Sequence, residues 1–275
     1  MIDKQLLQKR FSVHAKTYDQ YASVQKKMGE RLLKQLTLKK SGTSSMNILE
    51  IGCGTGYLTA KLLQQFPKAT IMAIDLAPGM IELAKQRIAD ERIRFLCGDI
   101  EEMELNERYD LIISNATFQW LNHLEKTLSR LSSLLKREGM ILFSTFGDKT
   151  FYELHTSFYR ALQTLGIDTN ARLGQPFYSL NEWLELCDRT IHTIHSSSTI
   201  FGTEAIEKER FLSVRDFFTS LRKIGATNSN QEPFFQRPSV LKEMMKIYER
   251  DFRENGHIMA TYHCLFIEAA RQGVY

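Results

Sequence analysis

The sequence predicts an α/β protein with a doubly wound, mostly parallel seven-stranded sheet and a helical lid. Three observations carry this. Short apolar strands alternate with amphipathic helices from Asn47 to Phe146. A glycine-rich turn, Leu49-Glu50-Ile51-Gly52-Cys53-Gly54-Thr55-Gly56, stands where the first strand gives way to a helix. Acids, Asp75 and Asp99, close the next two strands. Continuous apolar strands separated by helices imply a parallel sheet covered on both faces, and in such sheets ligands bind beyond the carboxyl ends of the strands.

Residues 4–38 read as helical, with Leu6, Leu7, Phe11, Tyr18 and Tyr21 followed by a second amphipathic stretch through Met28, Leu32, Leu33 and Leu36. A polar cluster at 41–45 closes this segment. Asn47–Cys53 reads as a strand, 57–66 as a helix and Thr70–Leu76 as a strand, and Pro78 opens a helix over 78–89. Arg92–Ile100 and Tyr109–Ala116 follow as strands. A helix over 123–137 carries Leu124, Leu128, Leu131 and Leu135 on one face, and Met140–Phe146 is a strand after a stop at Gly139. Beyond Gly147 the rhythm breaks into a helix over 148–166, a loop over 167–178, a helix over 179–188 and a strand near 190–202. A helix-rich stretch over 204–256, broken at Pro233 and Pro238, precedes a closing strand from His257 to Ile267. The predicted organisation is therefore an N-terminal helical segment (1–45) over a ligand-binding core (46–147). Helical lid insertions follow at 148–178 and 204–256, and 179–203 and 257–275 complete the sheet.

Composition narrows the class. Hydrophobic residues at 43% and charged residues at 25% suit a soluble globular enzyme. A net charge of +4 is too small and too dispersed for a nucleic-acid footprint. Cys53, Cys97, Cys187 and Cys264 form no C-x-x-C pair, so neither a metal site nor a disulfide framework is predicted. Charges are scattered through Met1–Arg10 and no apolar run approaches the roughly 18 residues of a membrane span. A cytoplasmic protein is expected, and nothing in the chain requires more than a monomer.

The glycine turn separates two cofactor classes. Dehydrogenases use G-x-G-x-x-G/A, which requires a small residue where Tyr57 stands, whereas here the glycines run G-x-G-x-G. A pyrophosphate needs bare backbone at the helix N-terminus; S-adenosylmethionine has no phosphate and tolerates a bulkier rim. Asp75, 19 positions after Gly56, is placed to accept from both ribose hydroxyls, Met80 to offer a soft surface to adenine, and Asp99 to accept from the adenine amino group. Each aspartate alone is equally a helix cap or turn residue; together, at successive strand ends, they define a site.

This constellation resembles the class I S-adenosylmethionine-dependent methyltransferases across roughly residues 40–147 and the closing strand. The resemblance implies that Gly52, Cys53, Gly54 and Gly56 face the methionine portion with Glu50 beside them. Asp75 and Leu76 would take the ribose, Asp99 and Ile100 the adenine, and Asn115 and Ala116 would border the sulfonium methyl; the product is S-adenosylhomocysteine. The Asn/Asp-Pro-Pro-aromatic element of base and amide methylases is missing after the fourth strand, and no basic-aromatic stripe for nucleic acid appears.

Further segments, Arg10-Phe11-Ser12…Ala15…Thr17-Tyr18-Asp19, Ser114-Asn115-Ala116…Gln119-Trp120, Phe151…Glu153-Leu154-His155, Ser220–Thr227 and Thr261-Tyr262-His263, are similar to the malonyl-acyl-carrier-protein O-methyltransferases of biotin synthesis. Trans-aconitate methyltransferases share the Asn-Ala-x-x-Gln-Trp turn. The resemblance implies methyl transfer to the free carboxylate of a malonyl thioester, on acyl carrier protein or coenzyme A. A small free acid such as an aconitate, a phenol, or a non-catalytic binding module stand as rivals. A carboxylate is ionised at neutral pH and needs no general base. Donors to hold it are sought in Tyr18, His155, Arg222 and Tyr262, with Trp120 and Phe146 as walls. The acidic carrier protein calls for a basic surface, for which Arg215, Arg222, Lys223, Arg237 and Lys242 are candidates.

Overall fold

The computed structural model describes residues 1–169, 173–226 and 237–271. Pro233 and Thr227 lie outside the described residues, as do the last four residues of the chain. Two helices, α1 (Lys4–Tyr21) and α2 (Ser23–Thr37), precede β1 (Asn47–Ile51), α3 (Tyr57–Gln65), β2 (Thr70–Asp75), α4 (Pro78–Arg87), β3 (Ile93–Cys97), β4 (Tyr109–Asn115), α5 (Leu124–Ser133) and β5 (Leu135–Phe146). Then come α6 (Tyr152–Thr164), α7 (Leu180–Ile191), β6 (Ser198–Phe211), α8 (Val214–Lys223), α9 (Pro238–Asp251), β7 (Arg253–Glu254) and β8 (His257–Arg271).

The strands lie in the order β3-β2-β1-β4-β5-β8-β6, with β7 paired to β8. The first five are parallel, and β8 runs antiparallel between β5 and β6. Chain order reverses between β1 and β4, which opens the crevice in which such sheets bind ligands. Alternation along the strands serves two cores. Ile48, Leu111 and Ile113 pack under α2 and α3, whereas Leu49, Ile112 and Ile141 pack under α5 and α7. Trp183 of α7 is buried against Phe143 and Phe118 in the second core.

The sheet holds eight strands where seven were expected, β3 ends at Cys97 so that Asp99 follows the strand, and four further segments depart from the expected path. Helix α5 stops at Ser133, and Leu135 already belongs to β5, opposite Tyr109. The register shifts before Met140 meets Leu111, so residues 136–139 bulge from the ladder. A side chain at Gly139 would meet the Tyr109 carbonyl at 2.9 Å, so this glycine marks the bulge and is no helix stop. Second, β6 runs on to Phe211 and pairs with β8 along its whole length, so 204–211 belong to the sheet edge and not to a helical lid. Third, Asn255-Gly256, both at positive φ, turn β7 into β8, a hairpin inside the stretch read as helical. Fourth, β8 extends to Arg271. No helix among the described residues is long and apolar enough to cross a membrane.

Candidate active site

The glycine turn closes β1 with Gly52, Gly54 and Gly56 all at positive φ, a backbone open to glycine at no steric cost. The three do different work. A Cβ at Gly52 would overlap the Thr117 side chain, and one at Gly56 would meet Ile88 Cδ1 at 2.9 Å, so both permit packing. A Cβ at Gly54 would meet nothing within 4 Å and would project into open space. Asp75, at the end of β2, accepts from the Gly54 backbone N–H through Oδ2 and from Ala77 N–H through Oδ1, both at 2.8 Å.

A cleft of about 660 Å³, counting its open mouth, lies at this point; Gly52, Gly54, Asp75, Leu76, Met80, Asp99, Ile100, Asn115, Ala116, Tyr18 and Trp120 line it. Burial pushes the Asp75 carboxyl up to about 6, against the pull of the two N–H groups. Glu50 lies behind the wall, buried, with Oε2 unpartnered among the described residues. Burial, opposed by the nearby Thr59 hydroxyl and reinforced by Asp75, pushes Glu50 up to about 8. Glu50, Cys53 and Gly56 do not line the cleft, which the turn meets through Gly52 and Gly54; β1 is buried on both faces.

Helix α1 forms the outer wall. Lys4, Leu7, Phe11 and Tyr18 recur at helical spacing and line the cleft. Lys4 bridges Asp99 and Glu101 at 3.2 and 2.6 Å. Gln8 donates to the Leu76 carbonyl, and Asp19 takes the Thr55 hydroxyl and the Arg87 guanidinium. Phe11 meets Trp120 edge-on at 5.8 Å and Tyr18 at 6.4 Å. Burial, then the Asp75 and Asp19 charges, raise the Tyr18 hydroxyl, so it stays a donor. The sequence places this N-terminal helix over the core but does not single out Lys4, Thr117 or Leu121; a lone lysine near a terminus carries no local sign of a partner 95 residues on.

The Asn115 side chain is turned to α2, donating to the Gln25 carbonyl at 2.9 Å and accepting from Ser144 Oγ at 2.7 Å, so its backbone is what remains for a ligand. Ala116 sits at φ 51, a left-handed strain held at the head of the next turn. That turn, Phe118–Trp120, separates the cleft from a second cavity of about 870 Å³, mouth included, lined among others by Gln119, Thr145, Phe146 and Phe177. Tyr262 lines neither cavity; it is buried against Phe146 (5.8 Å), which lines the second, and Phe151 (5.0 Å), and burial with the Glu209 carboxylate holds its hydroxyl protonated.

Two acceptor candidates fall elsewhere. Arg222 is exposed on the last turn of α8, outside both cavities, because Thr17 Oγ1 holds the Lys223 carbonyl at 2.8 Å and seats that helix end on the outer flank of α1. His155 on α6 lines neither cavity, and burial lowers its pKa. No cluster of metal-ligating side chains occurs among the described residues.

The strand order, the three-glycine turn and acids closing β2 and following β3 define a class I S-adenosylmethionine-dependent methyltransferase. A methyltransferase-domain family model matches residues 48–139. Solved structures share the fold. The YcgJ protein from Bacillus subtilis superposes at TM-score 0.60 with 15% identity, covering 89% of this chain and 100% of that one. The plantazolicin methyltransferase BpumL in complex with SAH superposes at 0.53 with 18% identity, covering 98% and 95%. The malonyl-[acyl-carrier protein] O-methyltransferase of Anoxybacillus flavithermus is 54% identical, with 98% of each chain covered. The protein of that name from Bacillus anthracis is 51% identical, with 99% of each covered. The chain belongs to the malonyl-[acyl-carrier protein] O-methyltransferase family.

The cleft fits the donor. Gly54 leaves open the space that a Cβ would fill, and Asp75 and Asp99 offer acceptors at its rim. Glu50, buried with Oε2 unpartnered among the described residues, lies on β1 next to the turn that carries this glycine.

Proposed function

We propose that this enzyme methylates the free carboxylate of a malonyl thioester, giving the methyl ester that enters pimeloyl synthesis for biotin. The observation that carries the reading is end-to-end identity of 54% to a relative bearing that name. The cleft agrees with it. Its titratable lining residues among those described are Lys4, Tyr18, Asp75 and Asp99, with no histidine or cysteine to serve as base. An acceptor that is already an anion at neutral pH needs none.

The residue roles follow from position. Gly52 and Gly54 would border the methionine portion of S-adenosylmethionine, Asp75 the ribose, Asp99, Ile100 and Met80 the adenine, and the Asn115–Ala116 backbone the sulfur. When bound, the cofactor supplies an electrophilic methyl group whose loss leaves a neutral thioether. The chain's own contribution is alignment and water exclusion. Phe11, Tyr18 and Trp120 wall the cleft from solvent, and the Tyr18 hydroxyl donates to the acceptor carboxylate without pairing it to a full charge. The acceptor would lie towards Gln119 and Phe146, which line the second cavity across the Phe118–Trp120 turn.

Mass spectrometry after incubation with S-adenosylmethionine tests this on malonyl-carrier protein, malonyl-CoA and trans-aconitate. A gain of one methyl on a malonyl thioester is expected. A gain on aconitate alone overturns the proposal.

A further inference from the structure

The outer flank of α1 meets the C-terminal end of α8, and cations gather there. A side chain at Gly225 would lie 3.1 Å from the Arg10 carbonyl carbon, so the two backbones touch. Thr17 Oγ1 donates to the Lys223 carbonyl across the seam. His14, half-buried between them, has its pKa lowered by burial and then by the Lys223 and Arg222 charges, which puts three basic side chains in one field. Arg215 lies two turns before Arg222 on the same exposed face of α8.

These cations differ from a set of others on the surface. Lys27, Lys61, Arg87, Arg92, Arg189 and Arg253 each face a carboxylate. Among the described residues, Arg215, Arg222 and Lys223 form no ion pair, and the neighbouring Asp216 is turned to the Ser213 hydroxyl. The seam is also the back of the cleft wall, since Phe11 and Tyr18, one position from Arg10 and Thr17, line the cleft itself. One helix diameter, about 10 Å, separates the patch from the site.

We infer that the α1–α8 seam is the docking surface for an acidic protein that carries the acceptor on a flexible arm, which is the carrier protein of the proposed function. The inference rests on that reading and settles on the carrier protein over coenzyme A. A free phosphate is held by backbone N–H groups at a helix N-terminus or in a nest. Here the helix end is a C-terminus, which presents carbonyls and no array of N–H donors to wrap a phosphate. Exposed cations on long stems instead match a spread of carboxylates and steer their approach.

The test is the double variant Arg222→Glu/Lys223→Glu, with Arg215→Glu as a second and milder change at a fully surface position. Binding of carrier protein is read by fluorescence anisotropy with S-adenosylhomocysteine present, and kinetics are read on malonyl-carrier protein and on malonyl-CoA. The double variant is expected to weaken carrier binding and raise its KM by about tenfold or more, with the wild-type salt dependence flattened. Its KM and kcat on malonyl-CoA are expected to stay within about twofold of wild type. Unchanged carrier binding, or equal losses on both thioesters, overturns the docking surface. If wild type methylates no malonyl thioester the earlier reading fails, and the anisotropy arm still decides whether the seam binds the carrier.

Discussion

Asp75 and Gly54 are joined by a 2.8 Å hydrogen bond from the glycine N–H to the carboxylate. The acid that rims the cleft at the end of β2 therefore also fixes the glycine turn after β1, and Ala77 N–H on the other oxygen keeps it from swinging away. Replacing Asp75 with Ala removes a ligand acceptor and releases the turn in one step. Hydrogen bonds to a charged group contribute roughly 1.5–3 kcal/mol each, so S-adenosylmethionine affinity is expected to fall by about tenfold or more. Calorimetric titration checks this, and an affinity equal to wild type removes Asp75 from the site.

The glycines of the turn separate by the same logic. Gly54→Ala places a methyl in the open cleft, whereas Gly56→Ala drives one against Ile88 and Ala84 behind the helix. Both pay the left-handed strain of roughly 1–2 kcal/mol. Gly56→Ala is expected to lower the cofactor-free Tm further, and Gly54→Ala to lose more cofactor affinity relative to its Tm change. Thermal melts with and without S-adenosylhomocysteine read both effects, and identical ratios for the two variants contradict the division of roles.

Much of this geometry was legible in the sequence because it is local. A turn of spaced glycines and an acid at a strand end are written within a few residues of each other, and the alternation that fixes their strands is continuous. What escaped depends on partners far along the chain. Lys4 is defined by Asp99 and Glu101, and the bulge at Gly139 by the carbonyl of Tyr109. Arg222 shows a different failure. Its stretch resembles the family and its chemistry suits an anion, but only the packing of α8 on α1 shows that it faces outward. The Asn255-Gly256 hairpin was available locally and was overridden by the helical periodicity before it.

Buried carboxyls make stability depend on pH. The folded Glu50 carboxyl takes its proton at about 8 where an ordinary one does so at 4.5, and Asp75 at about 6 against 3.8. Between those limits the folded state binds protons that the unfolded chain has released. Stability of the cofactor-free protein is therefore greatest at the acid side of the window and falls as pH rises from about 4.5 to about 8. Glu50→Gln keeps the shape and removes the titration, so its urea midpoint is expected to vary less over the same range. A variant whose pH profile matches wild type shows that Glu50 is not the group responsible.

Tyr18 tests the acceptor side. Its hydroxyl is held protonated in the cleft wall and its ring is fixed by Phe11. Tyr18→Phe removes one donor and leaves the ring packing, so turnover is expected to fall by about tenfold while S-adenosylmethionine affinity stays within about threefold. Equal losses in both would assign Tyr18 to cofactor binding.

The turn after β5 is held by a buried histidine, and its rigidity is open to a double-mutant cycle. His263, 1% exposed in the middle of β8, lies 2.7 Å from Glu204 on β6 and 3.1 Å from Asp148 in the turn. Gly147 N–H donates to its carbonyl, and the ring occupies the space a Gly147 side chain would need, with Nδ1 against the Cβ position. Gly147→Ala is expected to destabilise by about 1–3 kcal/mol through overpacking. His263→Ala removes the ring, and with it the reason for that cost. The second substitution should then restore the Gly147→Ala penalty to near zero, a coupling of about 1 kcal/mol or more by urea unfolding. Phe146 precedes this turn and lines the second cavity, so Gly147→Ala is also expected to raise the KM for the acceptor while leaving cofactor affinity intact. Additive energies would mean that the turn tolerates a side chain by moving, and that His263 does not set its position.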